Sequence, residues 1–245
     1  MLNRTEERIE YFFNAIKKIK ENTDKINPAI LRYPIHFILL DILSKYAFPN
    51  EKGVGKRYVN FIDIYSNWEY KDYVSILLLK DLLKAERGKE CFKENKEYEA
   101  LEQKVNEARY KWGQEWDHKI YSPKEADLTI DEFKLFKRSR YWKLIKKCQY
   151  SSCIYQMRNS IIHNFAFPGL PNLFHDMDKQ MPYYCTLENS YKLCIPANLI
   201  SILVEKCSSN LKDSIMQKIN KTDPYKIFKD MPDWFPRLMK SKKCF

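Results

Sequence analysis

The chain has 245 residues, of which 44% are hydrophobic, 31% are charged and only five are glycine. This composition suits a globular protein with a packed core, and it argues against glycine-rich phosphate loops, collagen-like repeats and flexible linkers. Lysine and arginine outnumber aspartate and glutamate by 43 to 32, and this excess favours a polyanionic partner such as nucleic acid, unless it only reflects a lysine-rich composition.

The N-terminus and the cysteines indicate a cytoplasmic protein. Polar and charged residues occupy positions 3–7, where a signal peptide would lead into an apolar run. The most apolar stretch, residues 33–48, includes charged side chains and is shorter than the ~20 residues that a bilayer crossing needs. The seven cysteines contain no CxxC pair, which favours reduced thiols over disulfides or a zinc site. We therefore expect no membrane partner.

Five helices are predicted in the N-terminal half from apolar residues at helical spacing. The first covers residues 5–20, and the second opens at Pro34 and is apolar on almost every side, as expected in the centre of a bundle. A third follows at about 58–65. The fourth covers residues 71–85 and points four aliphatic side chains inward, namely Val74, Leu77, Leu78 and Leu82. The fifth is a charged helix with one apolar seam, which is expected to form an inserted arm at residues 92–118.

The C-terminal half is predicted to contain three more helices and a hairpin. Thr129 and Glu132 form a capping-box pattern that begins a basic helix extending to about Lys147, and the next helix covers residues 150–164. Two short β-forming runs, at 183–187 and 191–195, predict a two-stranded β-hairpin. A last helix follows at about 197–220, before a C-terminal tail at 221–245. The predicted fold is mainly α, a helical bundle with a small two-stranded β-hairpin.

The predicted helix at 150–164 carries the most informative side chains. At 100° per residue, its core-facing stripe consists of Tyr150, Ile154, Met157, Ile161 and Phe165. Arg158 lies about 40° from that stripe, where its charge requires an anion, a partner or access to water. Asn159 and His163 are four positions apart on the opposite face, so the amide is expected to orient the imidazole. Arg158 and His163 are about 140° apart, and we expect them to meet only if the helix loosens or a second copy faces the first.

This arrangement resembles the Arg-x4–6-His motif of the HEPN family, in which a polar residue follows the arginine. Here the arginine is Arg158, the polar residue is Asn159, and four residues separate Arg158 from His163. The resemblance covers mainly residues 130–166, and it implies that residues 1–245 form a single HEPN-like helical domain. It also implies that Arg158, Asn159 and His163 are the catalytic residues of a metal-independent endoribonuclease. Such enzymes usually act as homodimers, often in toxin or antiviral systems with an antitoxin or sensor protein as partner.

The resemblance also implies a role for each side chain. His163 would activate the ribose 2′-OH or protonate the leaving 5′-oxygen, since an imidazole changes charge near neutral pH. Arg158 would stabilise the charge that develops on the scissile phosphate. These steps need no metal ion or other cofactor.

The basic helix before the motif is predicted to contact RNA. Its cations are interleaved with Tyr141 and Trp142, a pattern that suits phosphate contacts combined with base stacking. The predicted RNA-binding residues are Lys137, Arg138, Arg140, Lys143, Lys146 and Lys147. On a regular helix these cations project in many directions, so only some can face one ligand.

The sequence also allows structural roles for the motif residues. In this interpretation, Arg158 is an ion-pair partner, for example of Asp41, and His163 is a surface residue that ends a helix. HEPN-like domains also serve as non-catalytic RNA-binding or protein-interaction modules. Side chains that could bind a metal ion together with His163 are those of His175, Asp176 and Asp178. Their spacing matches no hydrolase pattern, so a metal site is not predicted.

Overall fold

The structure, a computed structural model, describes residues 2–87, 96–110, 122–164, 179–187 and 190–221. Its described part is mainly helical with a small antiparallel hairpin, so the predicted fold class is confirmed; the HEPN type of the bundle stays a prediction. The chain divides into two compact units, residues 1–67 with 200–245 and residues 68–199. The predicted tail beyond residue 221 and parts of the predicted arm (92–95 and 111–118) lie outside the described residues.

The first unit is built from helices whose apolar faces share one core. They are α1 (Leu2–Thr23), α2 (Arg32–Ala47), α3 (Val54–Tyr65) and, from Ile200 onward, α9 (Ala197–Lys221). Phe37, Leu40 and Leu43 of α2 are fully buried, which fits its predicted central position, although Ile38 is 48% exposed. The helix begins two residues before Pro34, which falls in the first turn, where a missing N–H costs no helical hydrogen bond.

A polar cluster lies inside this first unit. His36 is fully buried, and its Nε2 lies 3.1 Å from Asp24 Oδ1. The same oxygen accepts a hydrogen bond of 2.8 Å from Ser201 Oγ, while Lys20 Nζ lies 3.1 Å from Asp24 Oδ2. Burial lowers the pKa of His36 to about 4, so the imidazole is neutral at pH 7 and its contact with Asp24 is not an ion pair.

The second unit has its core between α4 (Ile76–Arg87), α5 (Lys96–Tyr110) and the short α7 (Trp142–Lys147). The seam predicted for α5 is buried in this core and consists, within the described range, of Tyr98, Leu101, Val105 and Ala108. It packs with Leu79 and Leu83 of α4. The helix of the predicted arm therefore belongs to the core of this unit.

The start of α4 differs from the prediction. Residues 73–74 form β1 (Tyr73–Val74), which pairs antiparallel with β2 (Leu128–Thr129), so the helix begins at Ile76 and not at residue 71. The helix face is also rotated, since Leu77, Leu78 and Leu82 are only partly buried whereas Ile76, Leu79 and Leu83 are buried. Backbone bonds explain the early strand: Ile130 N donates to Asp72 O, and Ser75 N donates to Cys148 O.

The predicted basic helix is interrupted. Its capping box is present, with Glu132 Oε2 accepting a hydrogen bond of 2.7 Å from Thr129 N, but it begins a 3-10 helix at Ile130–Phe136. A turn follows before α7 begins at Trp142. Ser139 causes this break, because its Oγ donates to Phe136 O and accepts from Tyr141 N, and such side-chain bonds compete with the helical ladder.

The motif helix forms as predicted, and the hairpin forms with its second strand one residue earlier than predicted. α8 (Tyr150–Asn164) has the predicted bounds, and its described core stripe is buried: Tyr150, Ile154, Met157 and Ile161. Phe165 lies outside the described residues. β3 (Tyr183–Leu187) pairs with β4 (Ser190–Cys194), and Tyr184 is opposite Leu193. One short helix, α6 (Pro123–Ala126), precedes β2. Among the helices that the structure describes, none has the length and apolar character required to cross a bilayer.

Candidate functional site

The three motif residues form one connected group on α8. Arg158 Nη1 lies 3.0 Å from Asn159 Oδ1 and 3.1 Å from His163 Nε2. Arg158 and Asn159 are half-buried, whereas His163 is exposed at the end of the helix. The guanidinium and the imidazole therefore meet at a position that solvent reaches.

This contact corrects the expectation that Arg158 and His163 meet only through a loosened helix or a second copy. α8 is a regular helix through Asn164, and the two side chains meet within a single chain. The angular argument compares Cβ directions, but an arginine side chain is long enough to bend around the helix surface between them.

Asn159 was predicted to orient His163, but in the structure its side chain bonds to Arg158. Its Oδ1 accepts one hydrogen of Arg158 Nη1, and His163 Nε2 accepts the other. A guanidinium only donates hydrogen bonds, so in this contact Nε2 of His163 is the acceptor. The group thus places this ring nitrogen directly against a cation.

The predicted RNA-binding cations divide into two sets. Arg140 and Lys146 are engaged locally: Arg140 donates to Tyr141 Oη at 2.8 Å, and Lys146 donates to Gln149 Oε1 at 2.8 Å. The other four side chains are exposed, namely Lys137, Arg138, Lys143 and Lys147. Lys143 and Lys147 are four positions apart on α7, so they are neighbours on its outer surface. The broken helix thus leaves an exposed cationic surface in the same unit as the motif.

The buried carboxyl group of Asp127 forms the centre of a second polar group. Asp127 is 7% exposed, and its Oδ1 accepts a hydrogen bond of 2.9 Å from Ile76 N at the start of α4. Its Oδ2 accepts hydrogen bonds from Tyr150 Oη and, at 2.8 Å, from Tyr184 Oη. Ser75 Oγ lies 2.8 Å from the same Tyr184 hydroxyl.

Burial dominates the protonation of this second group. It raises the pKa of Asp127 to about 7, despite the backbone and tyrosine donors that favour the carboxylate. Burial also raises the pKa of Tyr150 and of Tyr184 well above the ordinary value for tyrosine. The tyrosines therefore keep their protons, and Asp127 is the member of the group that titrates near neutral pH.

A cavity of about 320 Å³ lies between α4, α8 and β4. Its walls are largely apolar, and they include Leu77, Leu78, Met157 and Leu193. Cys153 also lines it, but burial raises the pKa of this thiol to about 12, so it is a wall and not a nucleophile. The sequence contained no signal for this cavity, since its walls come from three separate segments.

Metal-ligand geometry is not found in the described part of the chain, where no three His, Cys, Asp or Glu side chains cluster. His175, Asp176 and Asp178 lie outside the described residues.

No protein-family model, curated protein or solved structure matches the chain in these three comparisons.

Proposed function

We propose that the protein is a metal-independent endoribonuclease of the HEPN type, in which Arg158 and His163 act on one phosphodiester. The observation that carries the proposal is the 3.1 Å contact between Arg158 Nη1 and His163 Nε2 at an accessible position on α8. A cation and an imidazole at this distance supply the two groups that cleavage through the 2′-OH requires. The net charge of +11 and the exposed cations of α7 suit an RNA substrate.

The contact suggests how the reaction begins. When a phosphate oxygen binds Arg158, it replaces His163 Nε2 as the acceptor of the Nη1 hydrogen bond. This exchange of acceptors frees Nε2. Nε2 then accepts the proton of the ribose 2′-OH while the 2′-oxygen attacks phosphorus. The bond from phosphorus to the 5′-oxygen breaks, and the imidazolium returns its proton to that oxygen. The products are a 2′,3′-cyclic phosphate and a 5′-hydroxyl.

Arg158 and Asn159 have separate parts in this proposal. The guanidinium stabilises the negative charge that grows on the non-bridging oxygens. Asn159 positions the guanidinium, because its Oδ1 holds Nη1 at 3.0 Å. A homodimer, an antitoxin or sensor partner and a toxin or antiviral setting belong to the same proposal, and they rest on the family resemblance.

The test is cleavage of end-labelled RNA by the full chain in EDTA. His163→Ala is expected to lower the rate by about 10²–10⁴-fold, the usual contribution of a general acid–base group. Asn164→Ala, an exposed neighbour at the end of the same helix, is the matched control and is expected to cleave normally. RNA binding without cleavage by the wild-type protein would contradict the proposal and indicate the alternative, a non-catalytic binding module.

A second measurement addresses the biological setting. Expression of an active toxin arrests growth of the host cell, and Arg158→Ala is expected to relieve that arrest. Arrest that persists in this variant would show that any toxicity is independent of the motif.

A further inference from the structure

We propose that the cavity between α4, α8 and β4 is a binding pocket for one nucleobase of the RNA, next to the phosphate held by Arg158 and His163. The proposal rests on the ribonuclease function proposed above and adds a specificity determinant to it. The volume of about 320 Å³ is at the lower end of the ~300–1,000 Å³ usual for ligand pockets. A single planar base is a ligand of suitable size for such a space.

The cavity adjoins the motif along α8. Ser160 lines the cavity and is three positions before His163, and Gln156 lines it and is three positions before Asn159. Residues three apart on a helix have Cβ atoms only about 5–6 Å from each other. A base in the cavity therefore lies one helical turn from the proposed catalytic side chains, as required of a nucleotide next to the scissile phosphate.

The chemistry of the lining favours a base over a phosphate. Leu78, Met157 and Ile195 offer apolar surface to the faces of a ring, and unstacked bases are commonly held between apolar side chains with hydrogen bonds to their edges. The cavity also carries one exposed carboxylate, Asp81, and one exposed ammonium, Lys192. A carboxylate in the lining repels phosphate, whereas the two charges together suit a base edge with donors and acceptors.

Gln156 gives this lining a fixed polar edge. Its Nε2 donates to Lys147 O at 2.7 Å and to Ser152 O at 3.3 Å, which fixes the orientation of the amide. Ser75 also lines the cavity, and its hydroxyl is fixed by Tyr184 Oη at 2.8 Å and by Leu78 N at 3.3 Å. Polar side chains with fixed orientations are the usual source of base discrimination.

Asp81 predicts which bases bind. A carboxylate accepts hydrogen bonds from the exocyclic amino groups of adenine, cytosine and guanine, as acidic side chains do with cytosine N4. Uracil has no exocyclic amino group. The pocket is therefore expected to bind nucleotides with an amino-bearing base more tightly than uridine nucleotides.

The test measures binding of the four ribonucleoside 3′-monophosphates to the full chain by calorimetric titration. The amino-bearing nucleotides are expected to bind at least tenfold more tightly than 3′-UMP. Ser160→Leu, which fills the cavity, is expected to weaken their binding at least tenfold. Ser152→Leu makes the same change on the same helix away from the cavity, and it is expected to leave the Kd within twofold.

Asp81→Ala is the second variant, because it removes the hydrogen-bond acceptor at an exposed position. It is expected to abolish the preference over 3′-UMP. The inference is overturned if none of the four nucleotides binds, if 3′-UMP binds equally well, or if Ser160→Leu and Asp81→Ala both leave binding unchanged. His163→Ala separates the two proposals: it removes cleavage, whereas the preference for amino-bearing nucleotides over 3′-UMP depends on Asp81 and is expected to stay, so either proposal can fail while the other stands.

Discussion

The buried carboxyl of Asp127 makes a quantitative prediction about stability and pH. Its pKa is about 7 in the folded protein, against 3.8 for an exposed aspartate, because burial disfavours its charge. The folded state therefore holds this proton where the unfolded state has lost it. The stabilisation is fully present below pH 4 and is lost as pH rises through 7.

Asp127→Asn removes this titration and keeps the shape of the side chain. The amide oxygen can still accept from Ile76 N, the bond that holds the start of α4. One pKa unit corresponds to about 1.4 kcal/mol, so the shift from 3.8 to about 7 should lower wild-type stability, relative to the variant, by about 2–3 kcal/mol between pH 5 and pH 8.

The assay is urea denaturation of both proteins at several pH values, with unfolding monitored by circular dichroism. The quantity of interest is the difference between the two free energies of unfolding, since His36 and other groups titrate equally in both proteins. A difference that stays constant from pH 5 to pH 8 would refute the reasoning. Carboxyl carbon NMR of the wild type provides a direct check, with a midpoint expected near pH 7.

Three further predictions concern other parts of the chain. Burial lowers the pKa of His36 from 6.5 to about 4, so lowering the pH from 6.5 to 4 should destabilise the wild type by about 3 kcal/mol more than the His36→Gln variant. Urea denaturation at several pH values measures this difference. Free energies of unfolding that fall in parallel for the two proteins would contradict the prediction. Replacing both Lys143 and Lys147 by alanine should reduce the slope of log association constant for single-stranded RNA against log salt concentration by about 1.4. The same replacement of two exposed lysines on α1, Lys17 and Lys18, should leave the slope unchanged. Glu132→Ala should lower the free energy of unfolding by about 1 kcal/mol, because it removes the capping-box bonds to Thr129. Asp131→Ala is the control at the neighbouring position. If Glu132→Ala lowers the stability no more than this control does, Glu132 has no capping role.

Local signals explain which parts of the fold the sequence predicts well. The bounds of α8 follow from its apolar spacing, and the hairpin follows from two β-forming runs around a short turn. The break after Phe136 was not predicted, because it depends on hydrogen bonds of one serine side chain, Ser139. The rotated face of α4 was missed because it depends on the pairing of β1 with β2, and these strands are far apart in the sequence.

The candidate site shows the same division. Arg158, Asn159 and His163 are recognisable because they lie on one helix at a fixed spacing, but the direct contact between Arg158 and His163 depends on side-chain length and not on helix angles. The position of Asp127 could not be predicted, because its partners Ile76 and Tyr184 are 51 and 57 positions away in the chain. The cavity has the same origin in three distant segments.

The hairpin joins the cavity to the buried carboxyl group, and this connection has a thermodynamic consequence. Tyr184, which donates to Asp127, is the cross-strand partner of Leu193, which lines the cavity. Any occupant that displaces Leu193 changes the donors around Asp127 and hence its proton affinity. By reciprocity, the affinity for that occupant must then vary with acidity near neutrality. The observed heat of association would differ between buffers of unequal ionisation enthalpy, in proportion to the hydrogen ions taken up or released.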